Sequence, residues 1–396
     1  MASLIPFGKP TLEGSELRYV QQAIASGHTS CGGPFAARCA EILTAATGSR
    51  EALLTTSCTD ALEMAALLCD ITPGDVVVVP SFTFVSTAAA FVRAGARLLF
   101  CDIEPLTLGL DPHRLADLLD ATVRAVVVVH YAGVAADLDG IAAAMAPYAA
   151  DLIEDNAHGL FGSYRDRPLG SFGRFATLSF HETKNFMCGE GGALLLNDER
   201  DVERAHVLYD KGTNRRAFMA GEVDKYTWVD VGSSFGLSDV LAAYLLGQLE
   251  QRERILAKRR TIFERYVSLL GPFADELGFR LPVVPPDRRQ AYHIFYVLVE
   301  SQALRDEVLR SLRARGVQAV FHYVPLHSSP AGRRHAARPT SCPVTDDVSR
   351  RLLRLPFHNA LTDAEIERVA AAFLDALRAA RPRPRPGLFV PAGSGA

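Results

Sequence analysis

No two cysteines of this 396-residue chain stand at CxxC spacing, and no apolar run reaches membrane length. The seven cysteines (Cys31, Cys39, Cys58, Cys69, Cys101, Cys188, Cys342) are odd in number and scattered. That pattern reads as a reduced cytoplasmic inventory, neither a disulfide framework nor a zinc site. The apolar candidate Ala125–Ala136 falls short of the ~18 residues of a membrane helix and carries His130 and Tyr131, so no membrane partner is expected. The opening MASLIPFGKPTLEG has no basic stretch leading into an apolar run, so no secretory signal is expected either. Net charge is only −3, from 42 basic and 45 acidic residues, which argues against a nucleic-acid partner held by bulk electrostatics. No GxGxxG follows an early strand, and neither a phosphate-binding GxxxxGK[ST] loop nor a GxSxG elbow occurs. His181–Asn185 (HETKN) starts like a zinc-protease helix but has Asn185 where the second histidine must fall, so no metal is expected.

What is present is ordinary globular material. Hydrophobic residues make up 48% and charged residues 22%, enough for a sizeable core in roughly two or three domains. From Ser15 to about Leu196 helices alternate with short apolar strands. Ser15 and Pro34 mark helix starts. Predicted strands are Ala52–Thr55, Val76–Val79, Arg97–Cys101, Ala125–Val129, Asp151–Glu154, Phe175–Phe180 and Gly192–Leu196. Runs such as VVVV at 76–79 fit strands buried on both faces, so the fold class is α/β with a large, mostly parallel sheet. The spacing of Leu241, Leu245 and Leu249 predicts one long connecting helix over 238–270, closing a large domain at 1–250. After Gly271-Pro272 a smaller α+β domain is expected over 271–380, with strands Ile294–Val299 and Val317–Phe321 and helices Ala303–Arg315 and Asp363–Arg378. The Pro-, Gly- and Arg-rich tail 381–396 reads as disordered.

Three strand-end segments carry chemistry. Thr56-Ser57-Cys58-Thr59-Asp60 stands between a strand and a helix, where backbone N–H groups can hold a phosphate; Ser57 or Thr59 can equally be a plain helix cap. Leu152–His158 (LIEDNAH) puts Asp155 at a strand's carboxyl end, where open α/β sheets bind ligands. Asp155 can keep a heterocyclic nitrogen protonated, with His158 beside it, or can cap a helix. Ser179–Asn185 (SFHETKN) runs a strand into a loop lysine, Lys184, followed by Gly189, Gly191 and Gly192. A loop lysine is commonly a solvated charge, yet this setting suits one with a lowered pKa that becomes a nucleophilic amine. A phosphate cup, a strand-end aspartate and a loop lysine in that order are the parts a pyridoxal-phosphate enzyme needs. Phe82 and Phe84 are candidates to cover the ring, with core packing the alternative for each.

These residues resemble the DegT/DnrJ/EryC1/StrS sugar-nucleotide aminotransferases, fold-type I pyridoxal-phosphate enzymes, over roughly Ile5–Ala379. The likeness is carried by SFHETKN with GEGG, PSFTFVST, HYAG (130–133), KGTNR (211–215), DKYTW (224–228) and FHYVPLH (321–327), and is greatest to TDP-4-keto-6-deoxyglucose 4-aminotransferases. It implies Lys184 as the catalytic Schiff-base lysine and proton shuttle, and Asp155 as partner of the pyridine nitrogen. His158 stands in place of the usual glutamine near the ring hydroxyl; a ring nitrogen can donate the same bond. It further implies Phe84 as the stacking aromatic, with Ser57, Ser179 and the backbone of Cys58 and Thr59 on the phosphate. Lys211 and Arg215 are candidates for the nucleotide diphosphate, Tyr323 and His327 for the sugar; surface charge and loop packing are the alternatives. The implied activity moves an amino group from L-glutamate, released as 2-oxoglutarate, to C4 of a dTDP-keto-deoxysugar in a cytoplasmic homodimer with active sites at the interface. The chain departs from many members at Gly236, where they carry an asparagine that reaches the partner subunit's phosphate. A 3-keto-sugar aminotransferase is the nearest rival. Dehydratase relatives replace the lysine by histidine, which Lys184 argues against, and a non-catalytic scaffold would have lost Lys184 or Asp155.

Overall fold

The computed structural model describes residues 3–380; the tail expected to be disordered lies outside the described residues. Seven strands, β1 (Glu51–Thr55), β2 (Val76–Pro80), β3 (Arg97–Cys101), β4 (Val123–Val129), β5 (Asp151–Asp155), β6 (Phe175–Ser179) and β7 (Gly192–Leu196), form one sheet in the order β1-β7-β6-β5-β4-β2-β3. The run from β3 to β6 is parallel, and β7 alone reverses, pairing antiparallel with both β6 and β1. Alternate residues of β2 and β4 enter opposite cores. After helices α1 (Glu16–Ala25) and α2 (Pro34–Thr47) comes α3 (Cys58–Leu68), toward which Val77, Val79, Ala125 and Val127 pack, while Val78, Val126 and Val128 pack toward Leu115 and Ile141. Burial on both faces is why these strands are apolar throughout. This is the large parallel α/β sheet expected of fold-type I.

A second core surrounds a three-stranded sheet, β8 (Phe295–Leu298), β9 (Val320–Phe321) and β10 (Leu352–Leu355), in the order β8-β10-β9. Helices Arg252–Leu270, Gln302–Ala314 and Asp363–Ala380 supply its other apolar face. Ile5, from the amino-terminal strap, bridges Val317 and joins this core.

Four local expectations change. The helix predicted over 238–270 is two helices, Asp239–Leu249 and Arg252–Leu270, parted at Glu250-Gln251. There the Glu250 carboxylate accepts from the Tyr19 hydroxyl at 2.7 Å and from Arg38 at 2.6 Å, contacts that leucine spacing does not report. Ser15 does not cap its helix with its side chain; the Glu16 carboxylate instead accepts from the Glu13 and Gly14 amides. The strand expected over 317–321 is confined to Val320–Phe321, because Val317 bridges Ile5 instead. And β10, between two other strands, was not anticipated at all. Among the described residues no helix is long and apolar enough to cross a membrane.

Candidate active site

The carboxyl ends of β4, β5 and β6 and the amino ends of α3 and of the helix α4 (Ser86–Arg93) open onto one cavity of about 510 Å³. Asp155, the last residue of β5, lies at its floor, 6% exposed. Burial raises its carboxyl above the usual range, against the Thr87 hydrogen bond and the nearby Lys184 charge. Asp155 caps no helix; Oδ1 accepts from the Ala157 amide at 3.3 Å and Oδ2 from the Thr87 hydroxyl at 2.6 Å. Lys184 lines the same cavity from the loop after β6. Desolvation pushes its ammonium below the ordinary lysine range while Cys58 and Asp155 pull it back. Lys184 is half-buried in the cavity wall rather than a freely solvated loop charge.

Ser57 both caps and lines. Its hydroxyl accepts from the Asp60 amide at 3.1 Å, and it faces the cavity together with Cys58, Thr59 and Ser179. The first N–H groups of a helix have no partner four residues back within it; with Asp60 and Ala61 bonded to Ser57, the amides of Cys58 and Thr59 are the ones placed to hold an anion. Close packing secures this cup: a Cβ on Gly192 of β7 would lie 2.4 Å from the Cys58 nitrogen, which only glycine avoids. Phe82 is 1% exposed and is core, whereas Phe84 is 59% exposed and lines the cavity.

His158 lines the cavity, buried, and stacks on His293 with ring centroids 4.1 Å apart. Burial holds the ring well below the ordinary histidine range, hence neutral. Its Nδ1 is buried without a partner. The His293 tautomer follows from its neighbour. Asn185 Nδ2 donates to the Ala291 carbonyl at 2.6 Å, so Asn185 Oδ1 accepts and His293 Nδ1, 3.0 Å away, donates. One step behind the floor, Glu154 accepts from His130 Nε2 at 3.0 Å and from the amides of Gly170, Phe172 and Gly173.

The substrate-side expectations divide. Tyr323 lines the cavity. His327 does not: its Nδ1 is 2.7 Å from Ser81 Oγ, and His322, stacked on Tyr323, faces the cavity instead. Lys211 and Arg215 also stay off this chain's own cavity, more than half exposed and paired with Asp210. The asparagine of many relatives has no room at Gly236, where a Cβ would already lie 2.6 Å from the Cys31 Cβ. Sequence reading missed Thr87, His293, His322, Arg259 and Arg354. Of these only Arg354, a charge inside the LLRL alternation of β10, left a local trace.

Pyridoxal phosphate can be tested against this arrangement. A buried acid at the floor, an orphaned buried ring nitrogen on His158, a desolvated amine and an anion-binding helix end match its ring nitrogen, hydroxyl, aldehyde and phosphate. The residues present fit the group.

The model of the DegT/DnrJ/EryC1/StrS aminotransferase family matches residues 10–374. The spore coat polysaccharide biosynthesis protein SpsC of Bacillus subtilis (strain 168) is 29% identical over 384 residues, 95% of this chain and 98% of SpsC. Among solved structures, the aminotransferase TlmJ from Streptoalloteichus hindustanus is 31% identical, with a TM-score of 0.86 over 95% of this chain and 100% of TlmJ. DesV of S. venezuelae is 28% identical, with a TM-score of 0.85 over 95% and 99%. Matched by family model over residues 10–374, the chain belongs to the DegT/DnrJ/EryC1/StrS family and is a pyridoxal-phosphate-dependent aminotransferase.

Proposed function

We propose that the enzyme aminates C4 of dTDP-4-keto-6-deoxy-D-glucose, taking nitrogen from L-glutamate and releasing 2-oxoglutarate. The carrying observation is that Lys184, Asp155 and the amino end of α3 share one cavity with Tyr323. The dTDP-sugar and the C4 position rest on the motif resemblance, and a relative in polysaccharide biosynthesis fits a carbohydrate substrate.

Bound pyridoxal phosphate supplies an electron-withdrawing ring that stabilises negative charge on the carbon losing its proton. Asp155 keeps the ring nitrogen protonated by offering it a buried carboxylate. Ser57, Cys58, Thr59 and Ser179 would hold the phosphate, and His158 would serve the ring hydroxyl. Phe84 would cover the ring face. The Lys184 amine, its pKa lowered by desolvation, would hold the cofactor aldehyde. When not holding the cofactor, its Nζ would accept the proton from the carbon that loses it and return that proton to the substrate carbon. Tyr323 and His322 border the sugar.

The exposed apolar side chains Phe84, Val85, Trp228, Val229 and Val231 support a homodimer, since large exposed apolar side chains commonly mark surfaces covered by a partner. Lys211 and Arg215 would then serve the diphosphate at a second copy's cavity rather than their own.

The test is incubation with TDP-4-keto-6-deoxyglucose and L-glutamate, with the product read by NMR. A C4 amine in the galacto or gluco configuration is expected. Turnover of the 3-keto isomer alone overturns the 4-amino reading.

A further inference from the structure

His293 enters the cavity wall from just before β8, on a segment of unusual backbone. The His293 N–H donates to the Ala132 carbonyl at 3.3 Å, and the Ala291 N–H to the Gly133 carbonyl at 2.9 Å, so the loop after β4 seats this segment. Tyr292, between them, has φ +53, in the left-handed region that a bulky residue rarely adopts. Such a conformation persists only where its surroundings hold it. Arg259 does so: its guanidinium donates to the Tyr292 carbonyl at 2.8 Å and to the His293 carbonyl at 2.6 Å. The chain is thus forced to present the His293 ring at one place.

That ring has two engagements. It stacks on His158 with 27° between the planes, and Tyr131 meets His158 edge-on with centroids 6.0 Å apart, so two aromatic neighbours fix the His158 plane. Its Nδ1–H goes to Asn185 Oδ1, and Asn185 is the residue directly after Lys184. Burial keeps the His293 ring neutral, so it has one N–H to give, and Asn185 receives it. Asn185 has no freedom to seek another donor, because its own Nδ2 is committed to the Ala291 carbonyl. His158, Lys184, Asn185 and His293 border a recess of only about 10 Å³, room for one water at most.

The chemistry of the cofactor gives this bridge a purpose. The aldehyde and the hydroxyl of pyridoxal phosphate stand on neighbouring ring carbons, so the amine and the hydroxyl's partner must be held at one spacing. Lys184 and His158 come from different loops, after β6 and after β5, and neither loop sets its distance from the other. His293 touches both: a hydrogen bond to the lysine's neighbour on one side, a ring contact with His158 on the other.

We infer that His293 is a positioning residue that sets Lys184 and His158 at the spacing the cofactor requires, by hydrogen bond on one side and by stacking on the other. The inference rests on the roles proposed above for those two residues. Two variants of the holoenzyme separate the contacts. His293→Phe keeps a ring on His158 but leaves the Asn185 oxygen buried without a donor. It should hold pyridoxal phosphate about 10-fold more weakly on dialysis, with the ratio of the two cofactor absorbance bands (ring hydroxyl protonated or ionised) unchanged. His293→Asn keeps an N–H for Asn185 and loses the ring. It should retain the cofactor nearly as wild type does, while the band ratio changes about two- to tenfold. If His293→Phe does not fold, Asn185→Ala reads the same hydrogen bond from its other end and should reproduce the weakening with unchanged bands. The double variant His293→Phe, Asn185→Ala should be no weaker than the weaker single one. Wild-type retention in His293→Phe or Asn185→Ala, or the same change of retention and bands in both His293 variants, overturns the inference. Borohydride reduction that fixes the cofactor on a lysine other than Lys184 overturns the site reading itself, and the inference falls with it.

Discussion

Thr87 donates a 2.6 Å hydrogen bond to Oδ2 of Asp155, and because its proton is committed there, the Thr83 hydroxyl 2.8 Å away must donate to Thr87. The PSFTFVST segment thus supplies a buried relay, Thr83 to Thr87 to Asp155, in addition to the aromatic it was read for. All three are buried, so no water competes for the bond. A hydrogen bond to a charged group contributes about 1.5–3 kcal/mol, so Thr87→Val should weaken pyridoxal-phosphate binding about 10- to 100-fold. Thr87→Ser should restore most of it. Spectroscopic titration of apoenzyme with the cofactor measures both.

Lys184 gives a pH prediction. Its folded pKa lies below the ordinary lysine value because burial disfavours the ammonium. The neutral amine is the nucleophile that captures the cofactor aldehyde. The rate of capture by apoenzyme should therefore rise with pH along a curve displaced to the acid side of a free lysine. Asp155 opposes that displacement, so Asp155→Asn should move the midpoint further toward acid. Stopped-flow absorbance across pH checks the direction. A midpoint that moves up in the Asp155→Asn variant would contradict the pairing.

How much of this was legible in the chain follows from where each group's signal resides. Lys184, Asp155 and Ser57 sit at strand ends within short motifs, so residue type and position announced them. The parallel sheet was equally readable, because burial on both faces forces unbroken valine runs such as 76–79. His293 and His322 gave no such signal. Each belongs to the small-sheet region and reaches the cavity only through tertiary packing, His293 by stacking on His158 and His322 on Tyr323. His327 was preferred to His322 because the FHYVPLH motif offers both rings, and only the Ser81 contact shows which is occupied. Arg354 was passed over together with its strand, although a charge between leucines at period two is the mark of a strand with one face at a site.

The dimer proposal makes the chain's single tryptophan a reporter. Trp228 is 77% exposed on the isolated chain, close to Val229 and Val231, which are also exposed. If a second copy covers this flank, Trp228 emission in the native protein should be blue-shifted from that of the unfolded chain. Dilution below the dimer dissociation constant should reverse the shift. Light scattering should give twice the chain mass at working concentration. A monomer with water-like Trp228 emission would sink the proposal and, with it, the role of Lys211 and Arg215 at a second cavity.

Glu154 supports the floor from behind, and its role can be separated from chemistry. Burial alone would raise its carboxyl. The His130 ring and the amides of Gly173 and Gly170 outweigh burial and hold it below the usual range. A carboxylate with a lowered folded pKa contributes stability that is fully present above its unfolded pKa and is lost as pH falls through the folded one. Acid unfolding should therefore draw on Glu154 below about pH 4.5, where the unfolded chain takes up its proton first. Glu154→Gln puts an NH2 among three amide donors and a histidine, leaving donors facing donors. A loss of about 3–5 kcal/mol is expected near neutral pH, the cost of breaking a buried charged set. The loss should shrink toward pH 4, because the wild type sheds the same contribution there. Urea unfolding at several pH values measures it, and a loss that stays constant with pH would show that Glu154 is not the ionised anchor its four donors imply.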